Sequence, residues 1–206
     1  MIVAPILWGI ALAACAGLRI FMPFLFLGGM ARYAHTPTPP MLEWTASDAG
    51  FLILLVATLI EVLADKVPVV DSAWDAVHTF IRPPAAALIA YSAFADVPQG
   101  WKLGAALLAG GVAFTSHGAK ATTRAAANTS PEPFSNWILS TVEDVFAVGL
   151  SWMAAEHPVI TGAIVVVLVI VCVLVIWKLF SFFKRAIGRV RAPPVPDATG
   201  GSVSSG

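Results

Sequence analysis

Apolar runs long enough to cross a bilayer, separated by short polar or proline-rich segments, recur along this 206-residue chain. Residues 2–18 carry no charge before Arg19, and the apolar text resumes over 20–31, interrupted by Pro23, Gly28 and Gly29. At 1.5 Å rise per residue the whole stretch would reach roughly 45 Å against a hydrocarbon core of about 30 Å, so a bend is expected between Arg19 and Pro23. Thr36-Pro37-Thr38-Pro39-Pro40 cannot continue a helix and reads as a loop.

A second span starts near residue 49 and must carry Glu61 inside it, because 51–60 supplies only about ten uncharged residues, half of a crossing. Asp65-Lys66-Val67-Pro68-Val69-Val70-Asp71 breaks that span, and a short amphipathic helix over 72–80 follows with Asp71 as its N-cap. Arg82-Pro83-Pro84 opens a third span to about 95. Residues 101–117 form a fourth, rich in Gly and Ala as close packing in lipid prefers. After the polar segment 120–136, a fifth span covers 137–155 with Glu143 and Asp144 in its early turns, and a sixth covers 159–177. The expected fold is all-α, a transmembrane bundle of about six helices over 1–183. A tail over 184–206 follows, basic through Lys184, Arg185, Arg189 and Arg191, then rich in Pro, Gly and Ser and expected to be disordered.

Composition agrees. With 58% hydrophobic and 12% charged residues the chain lies far from the soluble average of roughly 45–50% and 25%. The formal net charge is zero and no basic patch is interleaved with aromatics, which argues against nucleic acid as a partner. The expected partners are the lipid bilayer and, at the basic tail, anionic lipid. Cys15 and Cys172 lie in apolar runs and read as small hydrophobes. Leu12-Ala13-Ala14-Cys15 resembles a lipoprotein cleavage box, but no Lys or Arg precedes it, so a retained first helix is expected. With both termini cytoplasmic, nine of the twelve basic residues (66, 82, 120, 124, 178, 184, 185, 189, 191) fall inside and three (19, 32, 102) outside, as the positive-inside rule asks.

Two runs end alike, Cys15-Ala16-Gly17-Leu18-Arg19 and Ser116-His117-Gly118-Ala119-Lys120. As the first and fourth of six spans they would run in opposite directions, which is the arrangement of an inverted repeat.

The charged residues carry the candidate chemistry. Glu61 and Asp65, four apart, share a helical face, and Glu61 lies roughly 18 Å into its span. An acid there either faces a cavity or is paired, with Lys66, Arg82, Lys120 or Arg124 as the available cations. Lys120 and Arg124 share a face one span before Glu143 and Asp144, and His117 precedes them by one turn, so opposite charges gather in the cytoplasmic half. Arg19, about 26 Å along its helix, joins the candidate pathway residues but is also explained by snorkelling at the outer boundary. Asp71-x3-Asp75-x2-His78 offers three ligand types on one face, for a divalent metal or simply for capping and solvation. Ser116 and His117 point about 100° apart and make no nucleophile and base by themselves. No phosphate-cradling loop and no Cys-x2-Cys or His-Glu-x2-His pattern occurs, and no cofactor or metal is expected.

Gly17-Leu18-Arg19-Ile20-Phe21-Met22-Pro23, the 61–71 motif above and Ser140-Thr141-Val142-Glu143-Asp144 resemble a bacterial integral membrane family known as domain of unknown function 4126. His117, Lys120, Arg124, Asn128 and Asn136 fit the same pattern, with one departure, Trp137 where the family has proline. The resemblance spans about 2–177. It implies an intact first helix, a multispan fold and a bacterial inner membrane, and it supplies no activity. Two functions follow as expectations. One is a small transporter or channel for an anionic solute or lipid phosphate, with Lys120 and Arg124 attracting the anion and Glu61 and Asp65 as proton carriers. The other is an assembly partner whose charges only lock the bundle. An enzyme acting on lipid ranks behind both, and no oligomeric state is legible.

Overall fold

The break after Arg19 is where the sequence places it. In the computed structural model, which describes residues 3–93, 97–127 and 134–191 without the side chains at 3, 4, 68, 135, 136, 183 and 186–191, helix α1 (Val3–Leu18) stops and α2 (Met22–Tyr33) begins. Pro23 stands in the first turn of α2, where a missing N–H costs nothing. A 3-10 segment, Pro40–Ala46, leads through Ser47 into α3 (Asp48–Ala64), and the Ser47 hydroxyl accepts the Gly50 N–H at 3.1 Å as an N-cap. Then come α4 (Pro68–Ala93), α5 (Gln99–Ala127), α6 (Phe134–Glu156) and α7 (Pro158–Arg191).

Three expectations change. The amphipathic stretch 72–80 and the third span are one continuous helix, α4, with Pro83 and Pro84 inside it. Each proline gives up one helical N–H, but α4 packs along both α1 and α5, and tertiary packing overrides the local preference for a boundary. Residues 184–191, the basic part of the expected tail, continue α7 as helix, and the Pro, Gly and Ser-rich end expected to be disordered lies outside the described residues.

The third change concerns direction. Pro5, Met30, Ala93, Ala154 and Pro158 line one cavity at the far end of the bundle, whereas Arg19, Asp65, Asp75, Lys120 and Asp144 meet at the other. The seven α-helices among the described residues therefore alternate. The first apolar stretch is two antiparallel helices and not one bent span, so α1 and α5 run the same way and bring Arg19 and Lys120 to one carboxylate. The matching ends of those two runs accordingly do not mark an inverted pair. By the same count α1 starts and α7 finishes at opposite ends, unlike the arrangement expected with both termini on one side.

Helix α1 is the axis of the bundle, packed by α2, α4, α5, α6 and α7. Residues 11–16 have no exposed surface and form, with Ala86, Ile89, Ala90, Ala109, Ala113 and Ala154, a core of mostly small side chains. A methyl on Gly17 would overlap the backbone of Ala113, so glycine is what lets α1 and α5 touch. Leu52, Ile53, Val56, Leu59 and Leu63 on α3 and Val166, Val167, Ile170 and Leu174 on α7 point outward. Charges inside and large hydrophobics outside reverse the soluble pattern and suit hydrocarbon surroundings. By length and composition Trp137–Glu156 and Pro158–Phe182 are apolar enough to cross a membrane, and Pro40–Ala46 with Asp48–Ala64, bent by 76°, qualify as a third span together. Both α4 and α5, read as spans in sequence, are long enough at 26 and 29 residues but carry their charges in the interior.

Candidate functional site

Two helix ends meet at the break between α1 and α2, and each carries backbone groups that its own helix cannot satisfy. At the C-terminal end of α1, Arg82 Nη1 donates to the Gly17 carbonyl at 2.9 Å and Lys120 Nζ lies 3.5 Å from the Leu18 carbonyl. At the N-terminal end of α2, Glu61 accepts from Ile20 N–H at 2.9 Å through Oε1 and from Phe21 N–H at 3.3 Å through Oε2. Cations thus sit at the negative end of one helix dipole and an anion at the positive end of the next. Arg82 Nη2 closes the arrangement on Glu61 Oε1 at 3.1 Å.

Around this break lies a layer of five cations and six carboxylates drawn from helices α3 to α6 and from the turns after α1 and α3. Arg19 Nη1 bonds Asp65 Oδ2, and its Nη2 reaches Asp144 Oδ1 at 2.8 Å and Ser140 Oγ at 3.1 Å. Asp65 Oδ2 also takes Lys120 Nζ at 2.5 Å, with Arg124 Nη2 at 3.5 Å. Arg124 donates to the Asp65 carbonyl and to Glu143 Oε2, both at 2.8 Å, and stands 3.2 Å from Asp71 Oδ2. Asp75 Oδ1 is 3.5 Å from both Arg82 and Lys120. Lys66, at the rim, lies 3.8 Å from Asp144 and over the Trp137 ring.

His117 is fixed by its neighbours. Arg82 Nη1 has no lone pair, so His117 Nδ1, 2.7 Å away, must be the acceptor. Thr79 Oγ1 donates to the Asp75 carbonyl and therefore accepts from His117 Nε2–H at 2.8 Å. The neutral Nε2–H tautomer satisfies every member of this chain. Ser116 turns away and donates to the Val112 carbonyl, leaving the two neighbours unlinked.

The structure brings Glu61, Asp65, Lys66, His117, Lys120, Arg124, Glu143, Asp144, Asp71, Asp75 and Arg82 into one layer. Arg19 is the correction. It has no exposed surface and two carboxylate partners, so it does not snorkel. The partner of Glu61 is Arg82 and not Lys120. In the proposed metal set, Asp65 replaces His78: oxygens of Asp65, Asp71 and Asp75 lie within 4.8 Å of one another. His78 Nδ1 instead donates to the Trp74 carbonyl at 2.8 Å, with its ring against Phe21 and Trp74. Lys120 and Arg124 already stand among the three carboxylates, which makes the set a poor cage for a divalent ion. Asn128 lies outside the described residues, as does the side chain of Asn136.

Sequence reasoning missed Thr79 and Ser140. Both carried a signal: Thr79 is one turn before Arg82 and one after Asp75, and Ser140 is one turn before Glu143 and Asp144.

Two cavities flank the layer. A crevice of about 270 Å³ between α4 and α5 is walled by Asp71, Asp75, Thr79 and Arg124. A larger one of about 630 Å³ lies at the far end against Trp8, Leu27, Met30 and Ala154. Between Trp8 and Arg19, residues 11–16 of α1 are a closed plug.

No curated protein and no solved structure matches the chain. The family model described as a domain of unknown function, DUF4126, matches residues 6–178, and the chain belongs to that family.

Proposed function

We propose that the protein is a small transporter of the bacterial inner membrane for an anionic solute or a lipid phosphate, coupled to protons. The observation that carries this reading is the helix break inside the charge layer. Broken helices with backbone ends at membrane depth occur where they line a substrate or ion site. Arg19, Arg82, Lys120 and Arg124 supply the positive charge an anion needs, and Glu61 and Asp65 now occupy it. Burying so many ions is a poor way to stabilise a bundle, since apolar residues of the same volume usually do as well or better. The polar crevice on one side and the apolar cavity on the other supply the two approaches that alternating access requires, with the α1 plug between them.

The test is flux into proteoliposomes, with radiolabelled inorganic phosphate as the probe and a lumenal dye reporting protons. Wild type should carry both, and Glu61→Gln and Lys120→Gln should each lose at least tenfold of the rate. Folded variants that keep wild-type flux would remove those residues from the pathway.

A second reading, an assembly partner without transport, draws on the dryness of the Arg19–Asp65 and Glu61–Arg82 pairs and on the exposed Lys184 and Arg185 at the end of α7. Each basic residue near an anionic surface adds about 1 kcal/mol of attraction. Under this reading deletion of residues 184–206 abolishes recovery of a complex, and the liposomes carry nothing.

A further inference from the structure

The charge layer holds one carboxylate more than it has cations, counting Arg19, Lys66, Arg82, Lys120 and Arg124 against Glu61, Asp65, Asp71, Asp75, Glu143 and Asp144. An excess negative charge away from water is removed most simply by a proton on one carboxyl. The proton goes to the carboxylate whose anion is least supported, and the geometry ranks the six.

Glu61 has two backbone N–H donors and Arg82. Asp65 is held by Arg19 and Lys120, with Arg124 behind them. Asp75 stands between two cations. Glu143 accepts from Arg124 at 2.8 Å, Asp144 Oδ1 has Arg19 Nη2 at 2.8 Å as an ion pair without a hydrogen bond, and the two keep 14% and 20% of their side-chain surface exposed, so water reaches both. Asp71 differs from all of these. It has no exposed surface, neither oxygen accepts a hydrogen bond, and its one close cation, Arg124, donates elsewhere, to the Asp65 carbonyl and to Glu143. The groups facing it are Asp65 from the end of α3, Asp75 one turn along α4, and Lys120 and Arg124 from α5, with Glu143 of α6 reached only through Arg124. Two of its near neighbours are therefore carboxylates, whose oxygens lie within 4.8 Å.

We propose that Asp71 is the proton-binding carboxyl of the charge layer, loaded through the crevice between α4 and α5. That crevice ends on Asp71 and Asp75, and Ala76 and Ala121 leave it open. A hydronium ion in the crevice gives its proton to Asp71 and leaves water; the new O–H bond removes the negative charge, and Arg124 is released from Asp71 while keeping Glu143. A protonated Asp71 thus leaves Arg124 with one carboxylate fewer, and the charge given up is available to an anion in the crevice. This deepens the transport reading and rests on it for the coupling role. It also moves that role from Glu61 and Asp65, which have more donors around them, to a residue that the sequence marks only as a cap.

The experiment is infrared difference spectroscopy of the full chain in nanodiscs across a pH titration, in H2O and D2O. One protonated-carboxyl C=O band is expected, shifting in D2O, lost completely in Asp71→Asn and retained in Glu143→Gln and Asp144→Asn. Should Asp71→Asn fail to fold, Ala121→Leu, which fills the crevice, should keep the band and slow its exchange with D2O at least tenfold. A band that survives Asp71→Asn, vanishes with Glu143→Gln, or is absent from the wild type overturns the assignment, as does unchanged exchange in Ala121→Leu. A wild type that carries no phosphate while its band is intact overturns the transport reading and leaves Asp71 as the proton site.

Discussion

Lys120 reaches across the bundle to Asp65, Nζ to Oδ2 at 2.5 Å, and neither side chain has any exposed surface. Removing one member of a buried pair leaves the other uncompensated, at a cost of about 3–5 kcal/mol. Lys120→Gln is expected to lose that much stability in detergent unfolding. Asp65→Asn should lose more, because Arg19 and Lys120 both lose their shortest carboxylate contact, keeping Asp144 and Asp75. The double variant should fall short of the sum by at least ~1 kcal/mol. Additive losses would show that the two residues do not share a site.

Glu61 combines two jobs that different substitutions separate. A glutamine keeps one acceptor oxygen, enough for the Ile20 N–H, but gives up the second acceptor facing the Phe21 N–H and the charge facing Arg82, whereas leucine gives up every acceptor. Glu61→Leu is therefore expected to destabilise more than Glu61→Gln, by about 1–3 kcal/mol for the unsatisfied N–H groups. Equal losses would mean that capping of α2 contributes nothing measurable.

The sequence made part of this layer legible and hid the rest for a definite reason. Glu61 sits too deep in an apolar run to remain unpaired, and Lys120, Arg124, Glu143 and Asp144 fall at similar depth, so a shared charged site could be read from spacing alone. Arg19 could not. Its depth was counted along one span, and the reversal between α1 and α2 adds a helix that changes the direction of everything counted from it. Pro83 and Pro84 misled in the same way, because a local rule about helix boundaries says nothing of the contacts α4 makes with α1 and α5. Membrane residence was the most legible property, since composition alone demands it.

Glycines offer a contrast on a single helix pair. Gly17→Ala would drive a methyl into the Ala113 backbone, and overpacking of this kind costs about 1–3 kcal/mol. On α5, Gly111 has nothing within 4 Å of an added methyl. Gly111→Ala is expected to be neutral or to stabilise by up to ~1 kcal/mol through helix propensity. Thermal unfolding of both variants checks the pair, and a tolerated Gly17→Ala would rule out the close approach of α1 and α5.

His35 terminates α2 with φ 52°, a left-handed conformation, and the Thr36 N–H returns to the Met30 carbonyl at 3.2 Å. Glycine is favoured at such a helix end because a side chain costs about 1–2 kcal/mol there. His35→Gly should therefore raise the unfolding temperature, offset in part by the greater freedom of glycine in the unfolded chain. A lowered midpoint would place a stabilising role in the imidazole itself.

Orientation is the last property that the fold turns into a measurement. Lys66, Lys120, Arg124, Lys184 and Arg185 lie toward the end of the bundle where the charge layer sits, and Arg32 and Lys102 lie toward the other, near the C-terminus of α2 and the N-terminus of α5. The positive-inside rule then predicts the charge layer on the cytoplasmic side. Cys15 and Cys172 are buried, so a background with both changed to alanine leaves single introduced cysteines to report. Tyr33 is 73% exposed at the far end, and Lys184 is exposed near the end of α7. In right-side-out vesicles a membrane-impermeant maleimide should label Tyr33→Cys at once and Lys184→Cys only after permeabilisation. Labelling of both from outside would overturn the alternation of seven helices. Protection of Tyr33→Cys with labelling of Lys184→Cys would invert the bundle, placing the crevice at Asp71 outside and reversing the direction in which protons reach it.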